Sequence, residues 1–340
     1  MESWLFRLLL AAGVGLIMGL CAAAQENPIP SHGLLLVANK GEHTLGIIDP
    51  EQGQQVAKVD EGGITGHEVA ASPDGKLAFV PLYGNSGVGM PGTDGSTIAV
   101  IDIASRKLVH TIDLGKPLRP HCPVFGPQNG LLYVTTELGQ TVTIIDPESL
   151  KVIGTVPTGQ PESHMLAISS DGRRGYTSNV HVGTISVLDL DTRQKIGLIH
   201  VSRYAQRIAL SVDDRWLFTA DQTQPQLAAI DTSTNEVARW IPLEAHAYGT
   251  AATRDGKWLL VTLPDPGKVA VVDVSTMSVV RSVSVPKAPQ EILVRPDNKV
   301  AYVSCDNSKQ VAAINLQTWN VDQLIDAGRA ADGLAWAKGD

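Results

Sequence analysis

An aspartate that closes a short apolar run recurs along most of the chain, at Asp49, Asp102, Asp146, Asp189, Asp231 and Asp273, with Asn315 in the last place. The steps between neighbours are 53, 44, 43, 42, 42 and 42 residues. A period of about 42 is that of a four-stranded propeller blade, and one blade cannot bury its faces alone, so the copies must stack. The clearest copy runs from Gln160 to Val201, where the apolar runs Leu166–Ile168 and Thr184–Leu188 flank the turn dipeptide Asp171-Gly172. Equivalent first-hairpin turns fall at Asp74-Gly75, Asn129-Gly130, Asp213-Asp214, Asp255-Gly256 and Asp297-Asn298. These dipeptides suit two-residue hairpins with positive φ. No long amphipathic helical pattern interrupts them, and the fold class expected is all-β, a seven-bladed β-propeller.

The first copy begins at its second strand, Leu34 to Asn39, and lacks an inner one. The missing piece lies at the far end, where Ala331-Asp332-Gly333-Leu334-Ala335-Trp336-Ala337 matches the pattern of Gln290 to Val294. Both termini are therefore expected to complete the first blade, leaving no open radial edge.

Residues 1–24 read as a cleaved signal peptide: Arg7, an apolar run from Leu8 to Cys21, then Ala22-Ala23-Ala24 before the cut. Residues 25–33 form a linker and 34–340 the propeller. The expected setting is periplasmic or secreted, with no membrane attachment after cleavage and a monomeric state. Cys122 and Cys305 fall on blades three and seven, too far apart to bridge, so free thiols are expected. A net charge of −8 disfavours a phosphate backbone and hence nucleic acid.

The second strands read Tyr133-Val134-Thr135-Thr136, Tyr176-Thr177-Ser178-Asn179, Tyr302-Val303-Ser304-Cys305 and Val37-Ala38-Asn39, several after Ser-x-Asp-Gly. This resembles the YVTN-repeat β-propellers, secreted and periplasmic seven-bladed proteins. The resemblance implies the fold over nearly the whole mature chain and leaves activity open, because similar propellers serve as binding platforms, lactonases, lyases or redox subunits.

Aligned by their turns, the inner strands share a polar column just before the apolar run: His67, His121, His164, Gln206, Tyr248, Gln290 and Asp332. The next column holds Glu68, Cys122, Met165, Arg207, Gly249, Glu291 and Gly333; Arg119, Glu162, Tyr204 and His246 stand just upstream. In a propeller the inner strand begins at the channel mouth, so the column should ring one entrance. Blade two carries the insertion Tyr83 to Gly95, which explains the 53-residue step and could fold over the mouth as a lid.

Three chemistries compete for this ring. Neutral imidazoles of His67, His121 and His164 would make a three-histidine metal centre for zinc, copper or iron, with Glu68, Cys122 or Glu162 beside it. A metal-assisted lactonase or lyase would draw on His246, Tyr248 or Glu162 as proton carriers. A non-catalytic platform for an envelope or extracellular protein or a glycan would use Arg119, Arg207, Trp240 and Tyr248 as anchors. A small polar ligand at the mouth would meet Glu68, Arg119, Cys122, Gln206, Arg207, Gln290, Glu291 and Asp332. The sequence holds no CxxCH motif, no phosphate-binding glycine loop and no Gly-x-Ser-x-Gly elbow, from which neither haem nor nucleotide is expected.

Overall fold

The computed structural model describes residues 32–339; the expected signal peptide, and most of the linker, lie outside the described residues. Seven four-stranded antiparallel sheets form the ring. The first sheet runs Ala331–Ala337, Leu34–Asn39, Thr44–Asp49, Gln54–Asp60, so its inner strand comes from the C-terminal end and its outer three from the N-terminal end. Leu36 pairs with Ala335, Val37 with Leu334 and Asn39 with Ala331 across that seam.

The repeated acidic column is structural. In every blade the Asp or Asn accepts a backbone N–H two or three residues on: Asp49 from Glu51, Asp102 from Ser105, Asp146 from Glu148, Asp189 from Thr192, Asp231 from Ser233, Asp273 from Ser275 and Asn315 from Gln317. Four residues after each aspartate the backbone enters the left-handed region, at Gly53, Arg106, Leu150, Arg193, Asn235, Met277 and Trp319. The outer pair of strands slips register just beyond that turn in all seven blades. Six of the seven turns place a side chain at positive φ, which costs roughly 1 kcal/mol each and is offset by the aspartate cap.

Apolar side chains of the second and third strands fill the gaps between neighbouring sheets, with Tyr83, Phe79 and Phe218 among the fully buried ones. Cys122 and Cys305 are buried free thiols. Blade two departs from the pattern because its second and third strands, Leu77–Gly84 and Asp94–Asp102, are longer than the six-residue strands of blade four. Much of the 53-residue step is therefore extra ladder, and only residues 85–93 form a loop.

The seam predicts a global effect from a local cut. Ending the chain after Gly328 removes Ala331–Ala337 and unpairs Leu34–Asn39, and burial of Leu334 alone contributes about 2 kcal/mol. Thermal unfolding followed by circular dichroism should show one transition moved well down for the whole ring; an unchanged transition would mean that the strand is a dispensable tail.

Candidate functional site

Each inner strand enters at the same end of the ring, and a local backbone device aims it. Arg119, Glu162, Ala288 and Ala330 sit at φ 51, 57, 55 and 52, two residues before the polar column. Their carbonyls accept the N–H of the residue directly after each second strand, Glu137 at 3.2 Å, Val180 at 3.2 Å, Asp306 at 3.0 Å and Lys40 at 3.1 Å. This clip fastens the incoming chain to the rim, so residues just after the second strand face the mouth beside the polar column.

Three histidines gather there around a tyrosine. Ring centroids of His121 and His164 lie 3.6 Å apart at 32°, His67 meets His121 edge-on at 5.4 Å, and Tyr83 lies 4.9 Å from His67 and 5.3 Å from His121. His121 and His164 are both 2% exposed. Burial, reinforced by Arg207 and His67, holds their pKa values well below the usual imidazole range, and burial lowers His67 to about 4. All three are neutral at pH 7. Gln222 Nε2 donates to Gln206 Oε1 at 2.6 Å, which turns the Gln206 amide nitrogen toward His164 Nε2 at 3.4 Å. That contact assigns the His164 proton to Nδ1. Neither His164 Nδ1 nor His121 Nδ1 has a hydrogen-bond partner.

The expected zinc, copper or iron centre is corrected by this packing. His67, His121 and His164 do come together, but His121 and His164 pack ring on ring and His67 meets them edge-on. Among the described residues no three His, Cys, Asp or Glu side chains are arranged to hold a metal ion. Cys122 lies on the inner strand with its Sγ 4.0 Å from the Leu166 carbonyl, and burial pushes its thiol pKa far up, so it is an inert thiol.

Beside the histidines stands a buried charge network centred on Arg207. Its Nη2 donates to Asp332 Oδ1 at 3.1 Å, its Nη1 lies 2.6 Å from Glu68 Oε1 and 3.9 Å from Glu291 Oε2, and its guanidinium lies 5.0 Å from the Tyr248 ring centroid. Lys40 reaches Asp332 at 3.0 Å and Asp306 at 3.5 Å. Against the burial that opposes it, the pair Lys40 and Arg207 keeps Asp332 ionised. Burial pushes Glu68 well above the carboxylate range, and Glu291 upward as well. The Glu68 contact is close but poorly aligned, so Arg207 Nε and Nη1 remain without an aligned acceptor.

The 85–93 loop is clamped over blade three. Arg119 Nε donates to Asp94 at 2.6 Å, Nη2 to the Met90 carbonyl at 2.7 Å and Nη1 to Glu137 at 3.1 Å; Glu137 also takes Gly89 N–H at 3.0 Å and the Tyr83 hydroxyl. The tip reaches blade four, where a Cβ on Gly89 would collide with Glu162 Oε1. Glu162 itself is paired with His181 Nδ1 at 2.6 Å.

The structure thus groups Glu68, Arg207, Glu291, Asp332 and Tyr248, and joins Gln206 to His164. Gln290 turns back to donate to the Ala288 carbonyl at 3.2 Å, Glu162 sits on the rim and His246 is exposed. Arg119 and Arg207, expected as surface anchors, are buried at 4% and 3% exposure by their ion pairs and cannot serve as such. Sequence reasoning missed Lys40, Tyr83, Asp94, Glu137, Gln222 and Asp306. Four of these, Lys40, Glu137, Gln222 and Asp306, directly follow a second strand, and that position is readable from the YVTN-like motifs.

The fold and this mouth define a seven-bladed propeller with a buried polar site at one end. No protein-family model matches the chain, and no curated protein matches it. Among solved structures it is similar to hydrazine synthase of Kuenenia stuttgartiensis, with TM-score 0.72 and 16% identity over 88% of this chain and 99% of that one. It is similar to a functionally unknown protein from Desulfotomaculum acetoxidans, with TM-score 0.74 and 14% identity over 91% and 100%. It is also similar to dihydro-heme d1 dehydrogenase NirN, solved in complex with DHE, with TM-score 0.63 and 15% identity over 88% of this chain and 65% of that one. At these identities the likeness shows the fold alone. The NirN complex nevertheless overturns the exclusion of haem: a missing CxxCH motif speaks only to covalent attachment, and a structurally similar protein, a dihydro-heme d1 dehydrogenase, is solved with DHE bound.

Two measurements check this geometry. Because the folded imidazoles titrate below the unfolded value of about 6.5, the unfolded chain takes up protons first as pH falls. The stability they contribute is complete above about pH 6.5 and is lost toward pH 4, the folded value of His67. His121→Phe should flatten unfolding free energy against pH in that window by about 1.4 kcal/mol per pH unit relative to the parent; parallel curves would contradict it. Arg119→Met should free the loop, so that limited proteolysis cuts within 85–93 at least about tenfold faster while the ring stays intact, with about 3 kcal/mol lost globally as Glu137 is left unpaired.

Proposed function

We propose that this chain is an exported propeller of the YVTN type that binds a small polar ligand with acceptor oxygens, a carbonyl or carboxylate, at the mouth beneath the 85–93 loop. The observation that carries the reading is a set of buried nitrogens without partners on the inner strands at the mouth: the Nδ1 of His164 and the Nε of Arg207, both donors, and the Nδ1 of His121. A buried unsatisfied donor costs about 1–3 kcal/mol, so native proteins keep such groups where something fills them. Neutral imidazole and guanidinium N–H groups select an oxygen acceptor, and the flanking Asp332 and Glu291 restrict its charge. NirN, whose structure holds DHE, supports a small-molecule role for a propeller of this shape. The reading takes no step through a haem-type group, because His121 and His164 stack on one another rather than face a shared gap.

The leader-like segment 1–24 supports action outside the cytoplasm. Burial of Arg119 and Arg207 favours a small molecule over a macromolecular partner, since neither can reach across an interface. The 85–93 loop, clamped by Arg119, would have to lift for entry, which favours slow exchange of the ligand.

Native mass spectrometry of protein purified quickly from its own compartment tests this directly. A stoichiometric small-molecule adduct is expected on the parent chain, reduced at least about tenfold in occupancy in His164→Leu, which removes one donor worth about 1.4 kcal/mol. A bare, folded protein in both preparations would sink the reading.

A further inference from the structure

The floor of the mouth holds more carboxyls than cations. Glu68, Glu291 and Asp332 all approach Arg207, at 2.6, 3.9 and 3.1 Å, and the second cation, the half-buried Lys40, is committed to Asp332 and Asp306. Asp332 is thereby matched by two cations, which leaves Glu68 and Glu291 to share what remains of one guanidinium. The two side chains converge on the same nitrogen, Glu68 Oε1 lying 2.6 Å and Glu291 Oε2 3.9 Å from Arg207 Nη1. Glu291 Oε2 is already fixed by the Leu334 N–H at 2.8 Å, and Gly333 presses so close that a Cβ there would lie 2.7 Å from Glu68 Oε2. Glu68 is 3% exposed and Glu291, though half-buried, is tied down by that N–H, so both carboxyls are held at one guanidinium, where two ionised carboxylates repel.

We propose that Glu68 and Glu291 share a single proton at neutral pH and form an acid–base site at the floor of the mouth, serving a ligand with a basic oxygen or nitrogen. With that proton in place the pair's one negative charge, Asp332 and the partly exposed Asp306 face Arg207 and Lys40, three negative charges against two positive instead of four. Every neighbour bears on it. Arg207 draws the proton off, while Asp332, burial and the second carboxyl keep it on; neutral His67 and His121, the Cys122 thiol and Tyr248 line the rest and carry no charge. The unpartnered Nε of Arg207, 3% exposed, marks the place beside the pair where a ligand oxygen would rest. In the transfer the carboxyl O–H bond breaks as a bond from hydrogen to the ligand's basic atom forms. The pair goes from one negative charge to two, the ligand gains one positive charge, and the proton is regained from water after release. Such a shared-proton pair is a source and sink of protons at physiological pH, the property general acid–base chemistry requires.

The proposal deepens the reading of the mouth as a ligand site and rests on it for the use of the proton, whereas the proton's presence is tested without any ligand. Glu61, buried elsewhere with its pKa pushed up to about 7, would add its own signal, so the experiment uses a Glu61→Gln background. Infrared spectroscopy at neutral pH should show one protonated-carboxyl C=O stretch in that background. Glu68→Gln and Glu291→Gln should each abolish it, because the surviving carboxyl, freed of its like-charged neighbour and facing Arg207, ionises. Absence of the band in the Glu61→Gln protein overturns the proposal, as does a band that survives in both further variants. An infrared band without a mass-spectrometric adduct would keep the shared proton and remove the ligand reading; an adduct without the band would do the reverse.

Discussion

One buried guanidinium ties the centre of the ring together. Arg207 enters from blade five and meets Glu68 of blade two, Glu291 of blade seven and Asp332 of blade one, so four blades converge on one side chain. Taking a charge out of water costs several kcal/mol and is repaid only if its partners are fixed, and here they are fixed by inner strands that cannot move independently. The seam between the chain's two ends depends on the same group. Asp332 arrives with the C-terminal strand, Lys40 with the N-terminal one, and the two pair at 3.0 Å beside Arg207. Ring closure and site assembly are therefore one event, and a change at the mouth will be felt in the closure.

Around that centre the mouth is electrostatically divided. On the Arg207 side, charges are paired and desolvated. Toward blades two to four the imidazoles are neutral by burial, and the second ion cluster, Arg119 with Asp94 and Glu137, holds a loop rather than facing the channel.

Much of the ring was legible in the sequence because its physics is local and repeated. Six aspartates and one asparagine at a near-constant step cap seven turns, and Asp-Gly or Asn-Gly dipeptides set several of the first hairpins, each decided within a few residues. The polar column was legible for the same reason, since strand alternation puts it at the channel. Its chemistry was not. Whether His121 and His164 aim their nitrogens at one point or stack is a matter of side-chain rotation set by Tyr83 and Gln206, which lie on other strands. Arg119 looked like a surface anchor because its partners, Asp94 and Met90, belong to an insertion whose path has no repeat to predict it. Lys40 and Glu137 were passed over although both follow a second strand directly, where the clip onto the left-handed residue turns them inward.

The most direct test of the account is a high-resolution crystal structure of the protein isolated without dialysis from its native compartment, read at His121 Nδ1, His164 Nδ1 and Arg207 Nε. The account predicts continuous density for a small molecule that pairs with those three nitrogens beneath the 85–93 loop, its oxygens accepting from His164 Nδ1 and Arg207 Nε. Separate ordered waters on all three, or side chains rotated to satisfy one another with no density between them, would contradict it.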